Sequence, residues 1–428
     1  MDTPTAAKLR PWRLLLEEDR AEAVLASIHE IEGALASDLK SRELQSTRDI
    51  YLSEGTAGIA LFFAYLQAAG LAQRERAFEC LAPAVDALAA QPMTASLYAG
   101  FTGVALAVQH VSTLLGNSAD DASNDIDLAL EIYLRQSPWN HDYDLIHGLV
   151  GVGVYCLEHA NPATMRCLEL IVERLSELAE PSGDGLCWLT RPNLLRGWQR
   201  EKYPQGHYDL GLAHGLPGII ALLGKIHAAG VSREKTGRLL GGAVQWLLRQ
   251  RLPHRAQSSF SAFHIPGRQS EGCRLAWCYG DAGLAAALFL AARCVGEESW
   301  EQEALAIARG AVARDTKACG VVDACFCHGS SGLAHIFNRL YQASNDEALS
   351  EASRYWIERT LRFSKPGDGP AGYPFMAIDN SGNSGWQARY GMLEGIAGIG
   401  LSLLAAMSTI EPCWDRVFLL DIPPLSTS

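Results

Sequence analysis

The chain has 428 residues, of which 48% are hydrophobic and 20% charged, the proportions of a soluble globular protein. Its formal net charge of −12 argues against a nucleic-acid partner, because phosphate binding needs concentrated positive charge. Eleven cysteines, an odd number in so long a chain, point to thiol or metal chemistry in a reducing cytoplasm rather than a disulfide framework.

The N-terminal stretch from Met1 to Arg20 lacks the apolar core and small-residue cleavage site of a secretory signal. Beyond it, a Gly-x-x-Gly opening an apolar, helix-compatible run recurs along the chain. It reads EGTAGIALFFAYL from Glu54, AGFTGVALAVQH from Ala99, HGLVGVGVYCL from His147 and HGLPGIIALL from His214. It returns as YGDAGLAAALFL from Tyr279, HGSSGLAHIF from His328 and EGIAGIGLSLLA from Glu394. The leading glycines stand 45 to 67 residues apart, room for two helices per repeat. Gly55–Ala72 and Met93–Val111 carry the apolarity of membrane segments. A core helix enclosed on all sides gives the same signal, so no integral membrane protein is expected.

Between these runs, segments such as Ala163–Glu180 and Glu301–Arg314 combine apolar residues at i, i+3, i+4 spacing with charges, the pattern of a helix with one wet face. Buried helices alternating with amphipathic ones predict an all-α protein: an α/α toroid of seven inner and seven outer helices, one domain over residues 1–428. A closed ring is favoured over a linear solenoid because the terminal repeats resemble the middle ones and carry no polar cap. If the inner helices run in one direction, their N-termini and partial positive charges converge at one end. The glycines there would permit unusual dihedrals and close backbone approach.

The position before each leading glycine is structurally equivalent across repeats and holds Glu54, Ala99, His147, His214, Tyr279, His328 and Glu394. Most are polar or ionisable although apolar sequence follows directly, which marks a site rather than core packing. The fifth repeat adds Trp277-Cys278-Tyr279 and the sixth Cys327-His328. Superposing the repeats brings Cys278 beside Cys327 and His328, a set of two thiolates and one imidazole with a fourth tetrahedral position left open. That is the ligand pattern of a catalytic zinc. The remaining cysteines read as buried free thiols, and Cys325 falls outside the equivalent position. His214 suits acid–base work near neutral pH, with a further metal ligand or an ordinary core imidazole as alternatives. Asp144 and Arg274 lie just upstream of their helix starts and as a pair could orient an imidazole or stabilise an enolate oxygen. His147 reads as lining a pocket; Glu54 and Glu394 favour helix N-termini electrostatically.

GLAHGLPG at Gly211–Gly218, AWCYG at Ala276–Gly280 and CHG at Cys327–Gly329 together resemble the lanthipeptide synthetase C-like family, the lanthionine cyclases, from Glu54 to about Ala406. The resemblance implies an α/α toroid around one central zinc held by Cys278, Cys327 and His328, with His214, Asp144, Arg274 and Tyr279 in catalysis. It implies addition of a peptide cysteine to dehydroalanine or dehydrobutyrine, closing a thioether ring in a dehydrated precursor peptide. It also implies a dehydratase and a transporter as partners, and a cytoplasmic protein that meets the membrane only through such a complex. Ala282 departs from the proline frequent in the family before the second glycine. Some members carry a small inserted domain away from the zinc; the irregular stretch near residues 181–210 is where a remnant would fall. A non-catalytic or glutathione-binding zinc toroid of the same family is the main alternative, and a protein prenyltransferase-like enzyme a weaker one, since diphosphate needs positive donors.

Overall fold

The computed structural model describes residues 10–41, 46–72, 75–117, 123–195, 197–253, 257–378 and 382–425. Its helices are α1 (Glu18–Ser41), α2 (Thr56–Ala68), α3 (Arg76–Ala90), α4 (Phe101–Leu114), α5 (Ser123–Leu134), α6 (Leu149–Glu158), α7 (Pro162–Leu178) and α8 (Trp198–Lys202). They continue as α9 (Leu216–Ala228), α10 (Arg233–Arg249), α11 (Asp281–Val295), α12 (Glu298–Val312), α13 (Ser330–Ser344), α14 (Glu347–Phe363) and α15 (Ile396–Met407). Helices α2, α4, α6, α9, α11, α13 and α15 touch one another in that order, and α15 returns to α2. This closes an inner ring of seven. Around it α3 lies on α2, α7 on α6, α10 on α9, α12 on α11, α14 on α13 and α1 on α15, while α5 packs against α7. The protein is an α/α toroid, and the two sequence patterns sort onto its two layers. In α2 every residue from Thr56 to Leu66 is buried, whereas α12 buries only Ala304, Ile307, Ala308 and Ala311. Among the described residues, no helix is long and apolar enough to cross a membrane.

Each inner helix begins directly after its leading glycine. The glycines serve close approach more than unusual dihedrals. Six of the seven are in extended backbone, and only Gly280 has a left-handed φ, of 102°. The second glycine of every repeat faces the carbonyl oxygen six residues earlier, where a Cβ would overlap it. The turn into each helix is therefore pressed onto the helix's own first residues.

Pressed together in this way, the turns bond to one another. Leu145 N–H donates to Ala213 O at 3.1 Å, Ala213 N–H to Cys278 O at 3.4 Å, and Cys278 N–H to Cys327 O at 3.2 Å. Cys327 N–H donates to Leu393 O at 2.9 Å, Leu393 N–H to Ser53 O at 3.0 Å, and Ser53 N–H to Tyr98 O at 3.1 Å. At the remaining junction Ser96 Oγ donates to Ile146 O at 2.7 Å. A hoop of hydrogen bonds thus runs round the end of the barrel where the inner helices start.

Beneath the hoop the ring is filled by the C-terminal segment, which the repeat pattern did not reveal. The 3-10 turn Cys413–Phe418 buries Trp414, Asp415, Val417 and Phe418. The Phe418 ring lies 4.2 Å from Phe326 and 5.0 Å from Trp277, the residues preceding Cys327 and Cys278. Trp277 Nε1 donates to Phe418 O at 3.0 Å, and Tyr98 Oη to Val417 O at 2.8 Å. Farther along α13, the buried Arg339 and His335 hold Asp415 at 2.6 and 2.7 Å.

The stretch near 181–210 does leave the helical pattern. Strands β1 (Ala179–Ser182), β2 (Gly185–Thr190), β3 (His207–Asp209) and β4 (Phe263–His264) form an antiparallel sheet in that order. A separate hairpin joins β5 (Phe375–Ile378) and β6 (Ser384–Gln387).

Candidate active site

The hoop places Cys278 and Cys327 on neighbouring turns at equivalent positions, joined by a direct backbone hydrogen bond. Their sulfurs and a ring nitrogen of His328 all lie within 4.8 Å of one another. Cys278 is buried and the other two are half-buried. Two thiols and an imidazole at this spacing fit a tetrahedral ion such as zinc. The pair of sulfurs shares a proton unequally. A hydrogen bond from Cys327 holds the Cys278 thiol well below its ordinary range despite burial, with His328 and Arg274 adding to the effect. The same bond and burial push Cys327 up. The site favours thiolate at Cys278, the form a metal needs.

His328 has a second acidic neighbour that the sequence did not flag. Asp323 Oδ2 lies 4.0 Å from His328 Nε2 and accepts Met376 N–H at 3.1 Å; Oδ1 accepts Cys325 N–H at 3.1 Å. Cys325, set aside on repeat register, packs with Phe375 and Ala377 and forms with Asp323 and His328 a second group spaced for a metal. Burial pushes the Cys325 thiol well up, so Cys278 is the readier thiolate of the two. A carboxylate close to a ligating imidazole commonly fixes its orientation, which suits Asp323 to the support of His328.

The metal-type group opens on a cavity of about 440 Å³ whose walls include Asp144, His147, His214, Tyr279 and Glu394. Four of the seven positions preceding the leading glycines therefore face it. His214 Nδ1 lies 2.5 Å from Asp144 Oδ2, and Asp144 Oδ1 accepts His147 N–H at 2.7 Å. The His214 side chain keeps 40% of its surface open to the cavity. Burial alone would lower its pKa, but the Asp144 hydrogen bond and the charges of Asp144, Asp209 and Cys278 raise it to about 9. The Asp144 contact thus biases His214 toward the imidazolium form. His214 stands apart from the Cys278–Cys327–His328 group and is not a further ligand there.

The expected pairing of Asp144 with Arg274 is not formed. Both Asp144 oxygens are committed, to His214 and to His147, whereas Arg274 is exposed on the turn leading to α11 and does not line the cavity. Arg274 acts at a distance, its charge lowering the Cys278 thiol. Tyr279 Oη donates to Asp209 Oδ2 at 2.8 Å, and Asp209 is a wall residue that sequence reasoning missed. Glu394 is pushed up by burial and stands across the cavity. The sheet segment is not remote: Thr190, Leu194, Leu195, Gln199, His207 and Asp209 roof the cavity.

A family model described as lanthionine synthetase C-like protein matches residues 46–419. The nisin biosynthesis protein NisC of Lactococcus lactis subsp. lactis is 26% identical over 288 residues, 63% of this chain and 68% of that protein. A solved structure of nisin cyclase superposes with a TM-score of 0.72 at 23% identity, covering 92% of this chain and 97% of that one. With a repeat pattern, a closed toroid and a family match spanning most of its length, the chain belongs to the lanthionine synthetase C-like family.

Proposed function

We propose that this chain is a lanthionine cyclase, adding a cysteine thiol of a dehydrated precursor peptide to the β-carbon of a dehydroalanine or dehydrobutyrine. The observation that supports it most is one cavity lined by Cys278 and Cys327, which group with His328 at metal-binding spacing, and by His214 braced by Asp144. Family membership and the likeness to NisC support the same reading. Cys278, Cys327 and His328 would hold one zinc, which supplies a Lewis acid that keeps an incoming sulfur as thiolate at neutral pH.

The remaining work belongs to the chain's own residues. As sulfur bonds to the β-carbon, the α-carbon gains an electron pair and becomes an enolate conjugated to the peptide carbonyl. His214 delivers its Nε2 proton to that carbon, and the proton released by the next thiol restores it. Asp144 keeps the imidazole charged and fixes which nitrogen faces the cavity. The charge of Arg274 and the convergent helix N-termini stabilise the enolate from outside the cavity lining. The substrate would come from a dehydratase and leave by a transporter, with the cyclase in the cytoplasm alongside them.

A prenyltransferase-like reading is disfavoured because no Lys or Arg lines the cavity among the described residues, leaving a diphosphate without donors. A toroid that only binds thiols would have no use for a braced imidazolium. The test is incubation of the zinc-loaded protein with a dehydrated precursor peptide, then thiol alkylation and mass spectrometry. Loss of alkylatable cysteine at unchanged peptide mass is the expected result. Free thiols persisting beside bound zinc overturn the reading for that peptide.

A further inference from the structure

Tyr279 stands next to Cys278 and opposite His214, with ring centroids 6.2 Å apart, so it looks like a second proton donor. The geometry points elsewhere. Asp209 Oδ2 receives the phenolic hydrogen at 2.8 Å, while Asp209 Oδ1 is fixed by Gly211 N–H at 2.8 Å. The carboxylate is 3% exposed, and His207 Nε2 approaches the same oxygen at 3.6 Å. Gly211 also leaves the space for this arrangement. A Cβ there would come within 2.5 Å of Cys278 O and 2.6 Å of the Tyr279 ring.

We propose that Asp209 is a positioning residue that aims Tyr279: by taking the phenolic hydrogen it turns the oxygen lone pairs to the cavity, where they accept the backbone N–H of the dehydro residue. Tyr279 then orients the electrophile and His214 alone supplies the proton. A hydroxyl has a single hydrogen, and a charged acceptor holds it more strongly than a neutral one. The dehydro residue carries one N–H beside its reactive double bond. Holding that group fixes the face presented to sulfur, which is where orientation affects rate. This assignment rests on the cyclase reading, but its test does not rest on that reading alone.

The first measurement needs no substrate. With 3-fluorotyrosine placed at position 279 of the zinc-loaded protein, the fluorine resonance should move in Asp209→Ala and return part of the way in Asp209→Asn, whose amide oxygen still accepts. An unmoved resonance in Asp209→Ala overturns the proposal. The second uses a short synthetic peptide bearing one dehydroalanine and one cysteine, with zinc content measured in every variant. Asp209→Ala and Tyr279→Phe should each lower kcat/KM about tenfold, as expected for losing one hydrogen bond to a charged group. The double variant should be no slower than Tyr279→Phe, because both changes break one link. Losses that multiply in the double variant, or zinc loss in Asp209→Ala, would assign Asp209 a structural role and overturn the proposal. A wild-type protein that closes no ring in this peptide, alongside a fluorine shift in Asp209→Ala, would leave the aiming intact and count against the cyclase reading.

Discussion

Two of the barrel's histidine–aspartate pairs are of nearly equal length and opposite behaviour. At the open end, His214 and Asp144 stand 2.5 Å apart; within the plugged interior, His335 and Asp415 stand 2.7 Å apart. The first imidazole is raised to about 9. The second is lowered, because complete burial and the charge of Arg339 outweigh the pull of Asp415. The same two side chains therefore make an acid in one place and a neutral strut in the other. The difference lies in the third partner: His214 has acidic neighbours and an open face, whereas Arg339 already neutralises Asp415 through two hydrogen bonds of 2.6 and 3.0 Å. A hydrogen-bonded dyad does not identify an active site until its remaining neighbours are counted.

The contrast can be tested from its strongest consequence downward. Removing a ligand should have the largest effect: Cys327→Ala should lose zinc and abolish ring closure while keeping the helical fold, and full metal occupancy in this variant would contradict the ligand set. In the interior, Arg339→Ala leaves Asp415 buried without its cation and should cost about 3–5 kcal/mol of stability. Urea unfolding measures this, and a loss under about 1 kcal/mol would mean that water reaches the plug. At the open end, His214→Asn should keep its zinc but slow cyclisation by about 10²–10⁴-fold, the usual worth of a positioned acid. Wild-type rates would remove His214 from the mechanism.

The pH dependence sharpens the comparison further. A raised histidine stabilises the fold below its ordinary pKa of 6.5, and that contribution is lost as pH rises to about 9. Cyclisation that needs the imidazolium should fall over the same upper range. A lowered histidine does the reverse: the contribution of His335 is present above 6.5 and lost as pH falls below it. Denaturation midpoints against pH should lose their alkaline slope in His214→Asn and their acid slope in His335→Asn. Identical slopes in both variants would refute the contrast. A smaller effect is expected from Asp323→Asn, which should weaken zinc affinity by about 10–100-fold without altering the fold. Competition with a chelating dye measures it.

Much of this was legible in the sequence, for a reason specific to repeats. Once the leading glycines are aligned, Cys278 and Cys327 fall on one equivalent position and His147, His214 and His328 on the next, and equivalence in a ring means adjacency in space. Residues off that register were invisible. Asp209 and Asp323 each lie six residues upstream of their leading glycines, a shared position that attention to the residues next to the glycine passes over. The C-terminal plug has no glycine motif and forms only a short 3-10 turn, and its aromatic residues read as ordinary core. Strands β1 to β3 were visible only as a break in helical periodicity, which says nothing about the cavity they cover. Arg274 was correctly placed in the chain and wrongly paired, because spacing along a loop does not tell which way a side chain leaves it.

The hoop of backbone bonds has a further consequence for how the family can vary. Because Cys278 N–H is tied to Cys327 O and Cys327 N–H to Leu393 O, the spacing of the sulfurs is inherited from the whole circumference rather than from either local turn. Extra residues spliced into the outer connections leave that perimeter unchanged, as the strands between α7 and α9 illustrate. Deleting or adding a whole repeat would alter the girth and pull the two thiols out of reach of a shared ion. Evolution can decorate such a barrel freely on its flanks, but its number of staves is tied to its chemistry.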